Sequence, residues 1–248
     1  MSLRLIDTST VFWPVYMASG SDLDAYTHLV EYAEGSPPGT VFCLDDATEN
    51  LERRSVLPEY KTGRPPRPPE AHQALADAIE RMRENGVPLA FAEGWEADDC
   101  IATLARQAIG DVLIVSSDKD LLVLVGGGTL VMRRGQLLDA GGVKRVTGVP
   151  PILVSDWLAL GGDSADHIPG CPGVGPGNAA KLLNAFGGLE KLRRADRADI
   201  LSVRGIGEKT ADALEDWFAF GGHTLSLSLT SLNSQLDLDL SSILREVF

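Results

Sequence analysis

Four short apolar runs, separated by segments with helical periodicity, constrain the fold of this chain most strongly. The runs cover residues 3–6, 40–44, 88–91 and 112–115. Each has the length of a buried strand, and the segments between them are long enough for helices. Strands that alternate with helices form a parallel sheet covered on both faces. We therefore predict an α/β fold with a doubly wound, mostly parallel sheet, in which residues 129–132 form a fifth strand and residues 143–146 an edge strand.

Acidic side chains stand just after these predicted strands. They are Asp7 after the first, Asp46 after the second, Glu96, Asp98 and Asp99 shortly after the third, and Asp118 with Asp120 after the fourth. The carboxyl ends of parallel strands meet at one edge of the sheet, where ligands bind. Carboxylates this close repel each other unless a cation lies among them, and divalent cations prefer oxygen ligands. The pattern predicts a divalent-metal site, whereas the Glu96 cluster alone is also compatible with an acidic, well-capped helix start.

A different pattern begins near residue 150, where two Gly-hydrophobic-Gly turns each open a helix. Gly173 and Gly175 recur as Gly205 and Gly207, and the apolar residues that follow recur at the same spacing. Such turns direct several backbone N–H groups at one anion, aided by the helix N-terminus. We interpret the pair as a grip on a nucleic-acid backbone, with two ordinary glycine caps as the alternative.

The net charge of −13 argues against a nucleic-acid partner if composition alone is considered. Phosphate held by backbone amides needs no basic face, however, and local charge matters more than the sum. Arg53, Tyr60, Lys61 and Arg64 belong to a basic segment that follows the second strand. We expect it to overhang the acidic edge, where Tyr60 would stack on a base; a solvated loop is the alternative.

Cysteine usage and hydropathy favour a reducing compartment. Cys43, Cys100 and Cys171 are widely spaced and form neither a disulfide framework nor a metal-binding pair. No apolar run approaches the length of a membrane span, and Asp7 interrupts the apolar start before it could serve as a signal peptide. We therefore expect a cytoplasmic protein that does not contact membranes.

In this order, the motifs resemble the structure-specific 5′ nucleases, the family of the 5′ nuclease domain of bacterial DNA polymerase I and of phage and bacterial flap endonucleases. The segments that carry the resemblance are residues 5–7, 41–46, 57–64, 96–99, 117–121, 162–166 and 168–176. The resemblance implies a PIN-like α/β nuclease core over residues 1–150 with a helical arch at about 60–86. A helical DNA-binding domain with a helix-three-turn-helix (helix-hairpin-helix) and a C-terminal return segment would cover residues 151–248. One departure is His167, where the family usually has Asn.

The resemblance also implies a site and its ligands. The implied metal ligands are Asp7, Asp46, Glu96, Asp98, Asp99, Asp118, Asp120, Asp163 and Asp166. Asp46 is preferred over its neighbour Asp45, because the spacing from Asp46 to Arg53 and to Tyr60 and Lys61 fits the family pattern. Lys61 and Arg64 would act on the scissile phosphate. The implied DNA contacts are Arg53, Tyr60, Lys61, Arg64, Gly173, Gly175, Gly177, Lys181, Gly205, Gly207 and Lys209. Two or more Mg²⁺ or Mn²⁺ ions would be held at the acids and K⁺ at the helix-three-turn-helix.

The expected function is 5′-3′ exonuclease and flap endonuclease activity on DNA with a 5′ end, flap or junction. We expect a monomer of phage or bacterial origin that works with a DNA polymerase in trans. Two alternatives remain: a non-catalytic module that binds DNA junctions and keeps structural metals, and a related nuclease that acts on RNA. The 2′-hydroxyl is the main local difference between the RNA and DNA substrates.

Overall fold

A mostly parallel sheet forms the centre of the N-terminal part. The computed structural model describes residues 2–46, 51–62 and 65–245. Within them, the strands are β1 (Leu3–Asp7), β2 (Thr40–Cys43), β3 (Leu89–Ala90), β4 (Val112–Val115), β5 (Thr129–Arg133) and β6 (Gln136–Leu138), in the order β3-β2-β1-β4-β5-β6. All neighbours are parallel except β5 and β6. The predicted fold class is confirmed, and the strand order reverses between β1 and β4.

Helices connect the strands and build the C-terminal part. They are α1 (Thr8–Ser19), α2 (Asp22–Glu34), α3 (Leu51–Val56), α4 (Pro69–Glu84), α5 (Ala97–Gln107), α6 (Ala140–Thr147), α7 (Val154–Gly161), α8 (Pro176–Phe186), α9 (Leu189–Arg193), α10 (Arg197–Ser202), α11 (Glu208–Ala219), α12 (Gly222–Thr230) and α13 (Leu240–Arg245), with 3₁₀ turns at Asp120–Leu124 and Pro151–Leu153. None of these helices is long and apolar enough to cross a lipid bilayer.

The two faces of the sheet bury separate cores, because alternate residues of each strand point to opposite faces. Ile6 and Phe42 pack with α1, α2 and α4. Leu5 and its neighbours on the other face join a larger core that continues through α5 and α7 into α8 and α11. The N-terminal and C-terminal parts therefore share one hydrophobic core, and the predicted division at residue 150 stays a prediction.

The structure corrects one predicted strand and adds one helix that the sequence analysis did not predict. The edge strand predicted at residues 143–146 is instead part of α6, because Asp139 caps its start by accepting a hydrogen bond from Gly142 N at 2.7 Å and Gly148 ends it with φ +83°. Val143 and Thr147 are buried on one side of this helix, and β6 is the edge strand. Helix α1 was not predicted; Asp7 starts it as the N-cap.

The range predicted as a helical arch, residues 60–86, is described only in part. Residues 63 and 64 lie outside the described residues, and residues 65–68 have no regular secondary structure. From Pro69 onward, α4 is a core helix, since Ala71, Ala78 and Met82 are buried with side chains of α1 and α2. The helical arch at about 60–86 therefore stays a prediction, and α4 is the helix that this range contains.

The last segment of the chain returns along α5. Leu236 N donates to Thr103 Oγ1 at 3.3 Å, and Leu240 N donates to Gln107 Oε1 at 3.0 Å. Asn233 N donates to Asp99 Oδ1 at 2.7 Å, so this segment also touches the acidic start of α5.

Candidate active site

A cavity of about 340 Å³ opens at the carboxyl ends of the strands. The carboxylates that line it are Asp7, Asp45, Glu96, Asp98 and Asp118. Asp7 ends β1, and Asp118 follows β4, so the cavity lies where the strand order reverses. Open α/β sheets bind ligands at this point, because the loops there diverge to opposite faces and leave a crevice. The acids predicted from the strand pattern thus come from distant parts of the chain.

Asp7 is a partly buried carboxyl with neutral donors around it. Its Oδ2 accepts hydrogen bonds from Ser116 Oγ at 2.7 Å and from Thr10 Oγ1 at 2.8 Å. Burial and the nearby charge of Asp45 raise the pKa of Asp7 to about 6, although both hydroxyls act in the opposite direction. The folded chain alone therefore opposes ionisation of Asp7.

Glu96 is surrounded by donors that the chain itself supplies. Lys61 Nζ forms a short ion pair with Glu96 Oε1, while Arg53 Nη1 and Tyr60 Oη donate to Oε2 at 2.6 Å and 3.0 Å. Burial raises the pKa of this carboxyl, but Lys61 and Arg53 outweigh it and hold the pKa of Glu96 below its usual value. The cations that lie beside Glu96 are therefore side chains of the chain itself, Lys61 and Arg53.

Arg53 and Asp99 form a buried pair behind the cavity. Arg53 donates to Asp99 through Nη1 at 2.8 Å and Nη2 at 3.1 Å, and Asp99 is fully buried. This bidentate geometry uses the guanidinium's planar donors. The prediction that Arg53 contacts DNA is corrected, because its side chain is 7% exposed and pairs with carboxylates. Asp99 also receives the backbone N–H of Asn233, so its oxygens are largely committed to protein donors.

Asp98 and Asp120 differ from these paired acids. Within the described residues, Asp98 Oδ1 and Asp120 Oδ1 are buried and find no hydrogen-bond partner. Arg53 Nη1 is 3.7 Å from Asp98 Oδ1, which is too far for a hydrogen bond. Burial, with repulsion from neighbouring carboxylates, raises the pKa of both groups well above the usual value.

The donor set fits a divalent cation. Glu96, Asp98 and Asp99 each offer an oxygen within 4.8 Å of the others. A divalent cation would give the orphaned oxygens of Asp98 and Asp120 a partner and would favour their ionised forms. The residues present therefore fit the metal ions that the sequence resemblance implies.

Asp120 belongs to a second acidic group together with Asp163 and Asp166. The charges of Asp118, Asp166 and Asp163 all raise the pKa of Asp120, after the larger effect of burial. Lys119 Nζ forms an ion pair with Asp163 Oδ2 at 2.8 Å. The predicted acids of the C-terminal part therefore lie beside those of the sheet edge.

The tight loop that carries these C-terminal acids depends on Gly162. Its φ is +72°, and a Cβ atom there would lie 2.6 Å from Gly170 N. A residue with a side chain would therefore disturb the loop from Asp163 to Asp166.

The structure corrects the choice between Asp45 and Asp46. Asp45 lines the cavity and accepts hydrogen bonds from Ser9 Oγ at 2.6 Å and Ala97 N at 3.0 Å. Asp46, which the sequence favoured, accepts from Gly94 N at 2.6 Å and does not line the cavity. The two neighbouring carboxylates thus bind different partners, and Asp45 is the one that lines the cavity.

Tyr60 and Lys61 are held at the boundary between the two parts. Tyr60 is 2% exposed and packs with Ile168 and Leu229. The prediction that it stacks on a base is therefore corrected. Lys61 N donates to Asp166 O at 3.2 Å, and Lys61 and His167 both have left-handed backbones, with φ +58° and +59°. Such conformations are strained and cluster at functional sites. Arg64 lies outside the described residues.

The two glycine turns are alike in the structure. Gly173 and Gly205 have φ +75° and +91°, and each is followed by an extended glycine that begins α8 or α11. In both copies a 3.0 Å backbone hydrogen bond closes the turn. Lys181 Nζ reaches the second turn, since a Cβ on Gly205 would lie 3.0 Å from it. The other predicted contacts, Gly175, Gly177, Gly207 and Lys209, are exposed at the starts of α8 and α11.

These features define a class of protein, an α/β nuclease with a carboxylate site. In its C-terminal helical part, two helices each begin at a glycine turn. Family models match the chain as the N-terminal resolvase-like domain of 5′-3′ exonucleases over residues 3–148 and as their C-terminal SAM fold over residues 149–200. The chain belongs to the 5′-3′ exonuclease family, and it is a hydrolase of the 5′ nuclease kind.

Two relatives agree with this assignment. The flap endonuclease Xni of Cronobacter sakazakii is 35% identical over 199 residues, which are 77% of this chain and 79% of that protein. DNA polymerase I of Pseudomonas aeruginosa is 36% identical over 214 residues, which are 82% of this chain but 22% of the polymerase. The chain thus spans most of the flap endonuclease and about a fifth of the polymerase.

Solved structures show the same fold. A flap endonuclease variant of bacteriophage T5 in complex with DNA and metal ions aligns with a TM-score of 0.77 at 17% identity, over 100% of this chain and 98% of that one. The 5′-exonuclease of phage T5 with bound zinc aligns with a TM-score of 0.73 at 18% identity, over 100% and 98%. The identities are low, so these likenesses support the fold alone.

Proposed function

We propose that this chain hydrolyses DNA phosphodiester bonds at 5′ ends and 5′ flaps, with Mg²⁺ or Mn²⁺ held by the carboxylates of the cavity. The observation that carries the proposal is the meeting of Asp7, Asp45, Glu96, Asp98 and Asp118 around one cavity that Lys61 also lines. The metal ligands of the first group would be these carboxylates, and those of the second would be Asp120, Asp163 and Asp166.

The residues of the chain have separate roles in this proposal. When bound, divalent ions supply charge that stabilises phosphoryl oxygens and lowers the pKa of water. Asp98 and Asp120 would hold these ions through their Oδ1 atoms, which lack protein donors within the described residues. Lys61 lies in the cavity and would donate from Nζ to an oxygen of the scissile phosphate, where charge develops. Arg53 keeps Glu96 and Asp99 oriented from behind.

The helical part would hold duplex DNA through its backbone. The glycine turns, with Lys181 and Lys209, offer N–H groups and charge to phosphates, which positions a duplex without reading its sequence. The preference should therefore be for the shape of the junction. The same proposal includes a K⁺ ion at the Gly173 turn, which the family resemblance of residues 168–176 supports. It also includes action as a monomer together with a DNA polymerase, and the match to a polymerase supports that partner.

The test is cleavage of a labelled 5′-flap DNA in Mg²⁺ by the wild type and by an Asp118→Ala, Asp120→Ala double variant. The variant should lose at least about a thousandfold in rate, yet bind the flap DNA in chelator. Its matched control replaces Asp77 and Glu80, two exposed acids of α4, by alanine and should cleave normally.

Full activity in the double variant would refute the proposed site. Binding without any product from the wild type would favour the non-catalytic module, and faster cleavage of a matched RNA flap would favour an RNA substrate.

A further inference from the structure

Helix α5 carries three polar side chains on one face, Asp99, Thr103 and Gln107. Their spacing of four residues stacks them along the helix, from its acidic start to its far end. Asp99 is fully buried, and Thr103 is 1% exposed. Buried polar groups of this kind need hydrogen-bond partners. Residues 232–240, which we call the strap, supply backbone groups to all three side chains.

The first two contacts of the strap lie near the start of α5. Asn233 N donates to Asp99 Oδ1 at 2.7 Å. Thr103 Oγ1 accepts from Leu236 N at 3.3 Å and donates to Asn233 O at 3.4 Å. One buried hydroxyl therefore serves the strap backbone both as a donor and as an acceptor.

The third contact lies two turns further along α5, about 12 Å from Asp99 along the helix axis. Gln107 Nε2 donates to Leu238 O at 2.6 Å, and Gln107 Oε1 accepts from Leu240 N at 3.0 Å. Both ends of the side-chain amide are thus bonded to the strap. Gln107 is exposed and does not line the cavity, so it can be replaced without touching the carboxylates there.

The apolar packing of the strap is incomplete. Leu236 and Leu238 pack against the larger core but are only partly buried, and Asp237 between them is exposed. A cavity of about 400 Å³ lies between Leu238 and β3. Segments with few buried apolar contacts open locally at a lower free energy than the whole fold. The hydrogen bonds to α5 therefore contribute much of what holds the strap in place.

Asp99 connects the strap to the carboxylate site. Besides Asn233 N, its oxygens accept from Arg53 Nη1 and Nη2 and from Glu96 N, the last at 3.4 Å. Arg53 Nη1 also donates to Glu96 Oε2 at 2.6 Å and lies 3.7 Å from Asp98 Oδ1. A shift of Asp99 therefore moves the guanidinium that contacts Glu96 and lies beside Asp98.

We propose that the strap is a positioning element of the metal site: its docking on α5 fixes Asp99 and Arg53, so that strap docking and divalent-metal binding favour each other. This inference rests on the metal site of the proposed function. Hydrogen-bond partners that orient metal-binding groups change the metal affinity when they are lost. Coupling between two equilibria is reciprocal, so bound metal also holds the strap on α5. Asn233, Thr103 and Gln107 are thus positioning residues, and none of them lines the cavity.

Hydrogen exchange and calorimetry measure the two directions of this coupling. Exchange of a peptide that covers residues 232–240 is followed by mass spectrometry in chelator and in saturating Mn²⁺, with helix α2 as an internal reference. In the wild type, Mn²⁺ should slow exchange in the strap about fivefold or more and should change α2 less. Gln107→Ala should speed strap exchange in chelator and weaken Mn²⁺ binding, measured by calorimetry, about fivefold or more. Its matched control is Gln73→Ala on the exposed surface of α4, which should behave as the wild type.

A pair of variants at Asn233 isolates the backbone donor. Asn233→Pro removes the N–H that bonds to Asp99, whereas Asn233→Ala keeps it. Only the proline variant should weaken Mn²⁺ binding as Gln107→Ala does. Flap cleavage by Gln107→Ala and by Asn233→Pro should approach the wild-type rate at saturating Mn²⁺, because the carboxylates of the cavity are intact in both.

The outcomes separate this inference from the proposed function. Unchanged strap exchange in a wild type that binds Mn²⁺, or unchanged Mn²⁺ affinity in a Gln107→Ala variant whose strap exchanges faster, overturns the inference, and flap cleavage by the wild type then leaves the proposed function standing. A wild type that binds Mn²⁺ without cleaving refutes the proposed function alone, because exchange and calorimetry still measure the coupling. A wild type that does not bind Mn²⁺ refutes both.

Discussion

Replacement of Asp7 by asparagine should stabilise the metal-free protein while it abolishes metal-dependent cleavage. Burial and the charge of Asp45 raise the pKa of Asp7 from 3.8 to about 6, so ionisation costs free energy in the folded chain only. Converted at ~1.36 kcal/mol per pKa unit, the difference corresponds to about 3 kcal/mol above pH 6. Asparagine keeps an oxygen for Ser116 Oγ and Thr10 Oγ1 and carries no charge.

The direction of the pKa shift determines how the stabilisation by Asp7→Asn changes with pH. Because the folded pKa is raised, the contribution of Asp7 to stability is present below pH 3.8 and is lost as the pH rises through about 6. The advantage of Asp7→Asn should therefore grow over this interval and then remain constant.

Urea unfolding in chelator, from about pH 4.5 to about pH 8, measures this advantage. The melting temperature should rise by about 6–12 °C at the upper end. Asp77→Asn, at an exposed position of α4, is the control and should show no such trend. If Asp7→Asn destabilises the chain, or if its effect does not vary with pH, the reasoning about a buried, charge-crowded carboxyl is wrong.

Three further predictions concern the metal, the loop and the contact between the two parts. Saturation with Mn²⁺ at a hundredfold excess over Kd should stabilise the wild type by about 2.7 kcal/mol, and Asp98→Asn should lose most of the thermal shift; an undiminished shift would exclude Asp98 as a ligand. Gly162→Ala should lower the unfolding free energy by more than about 2 kcal/mol and slow flap cleavage, whereas Gly20→Ala, with a similar φ but nothing within 4 Å, should cost less; equal costs in urea unfolding would contradict the close approach to Gly170. Leu229→Ala should cost about 2–5 kcal/mol by the same assay, because it opens a cavity under Tyr60; a loss below about 1 kcal/mol would show that this contact contributes little.

The roles of Arg53 and Tyr60 could not be predicted from the sequence, because they depend on side-chain partners that are distant along the chain. Arg53 and Tyr60 stand in a basic segment, which is typical of phosphate contacts. In the fold they are buried against Glu96, a residue far along the chain. Local spacing cannot show that a cation will pair with a distant carboxylate of its own chain. The positions of Asp45 and Asp46 depend on distant contacts in the same way, because Ser9 and Ala97 donate to Asp45 whereas Gly94 donates to Asp46.

Sequence patterns are enough to predict the parallel sheet, the acids at its carboxyl edge and the paired glycine turns. Each follows from short-range periodicity or from a residue type with few allowed roles, such as Gly173 and Gly205 at positive φ. The folded structure, by contrast, determines which acids keep unpartnered oxygens and which are paired with Arg53 and Lys61. It also brings Asn233 to Asp99, because burial and pairing depend on contacts between segments that the order of residues does not bring together.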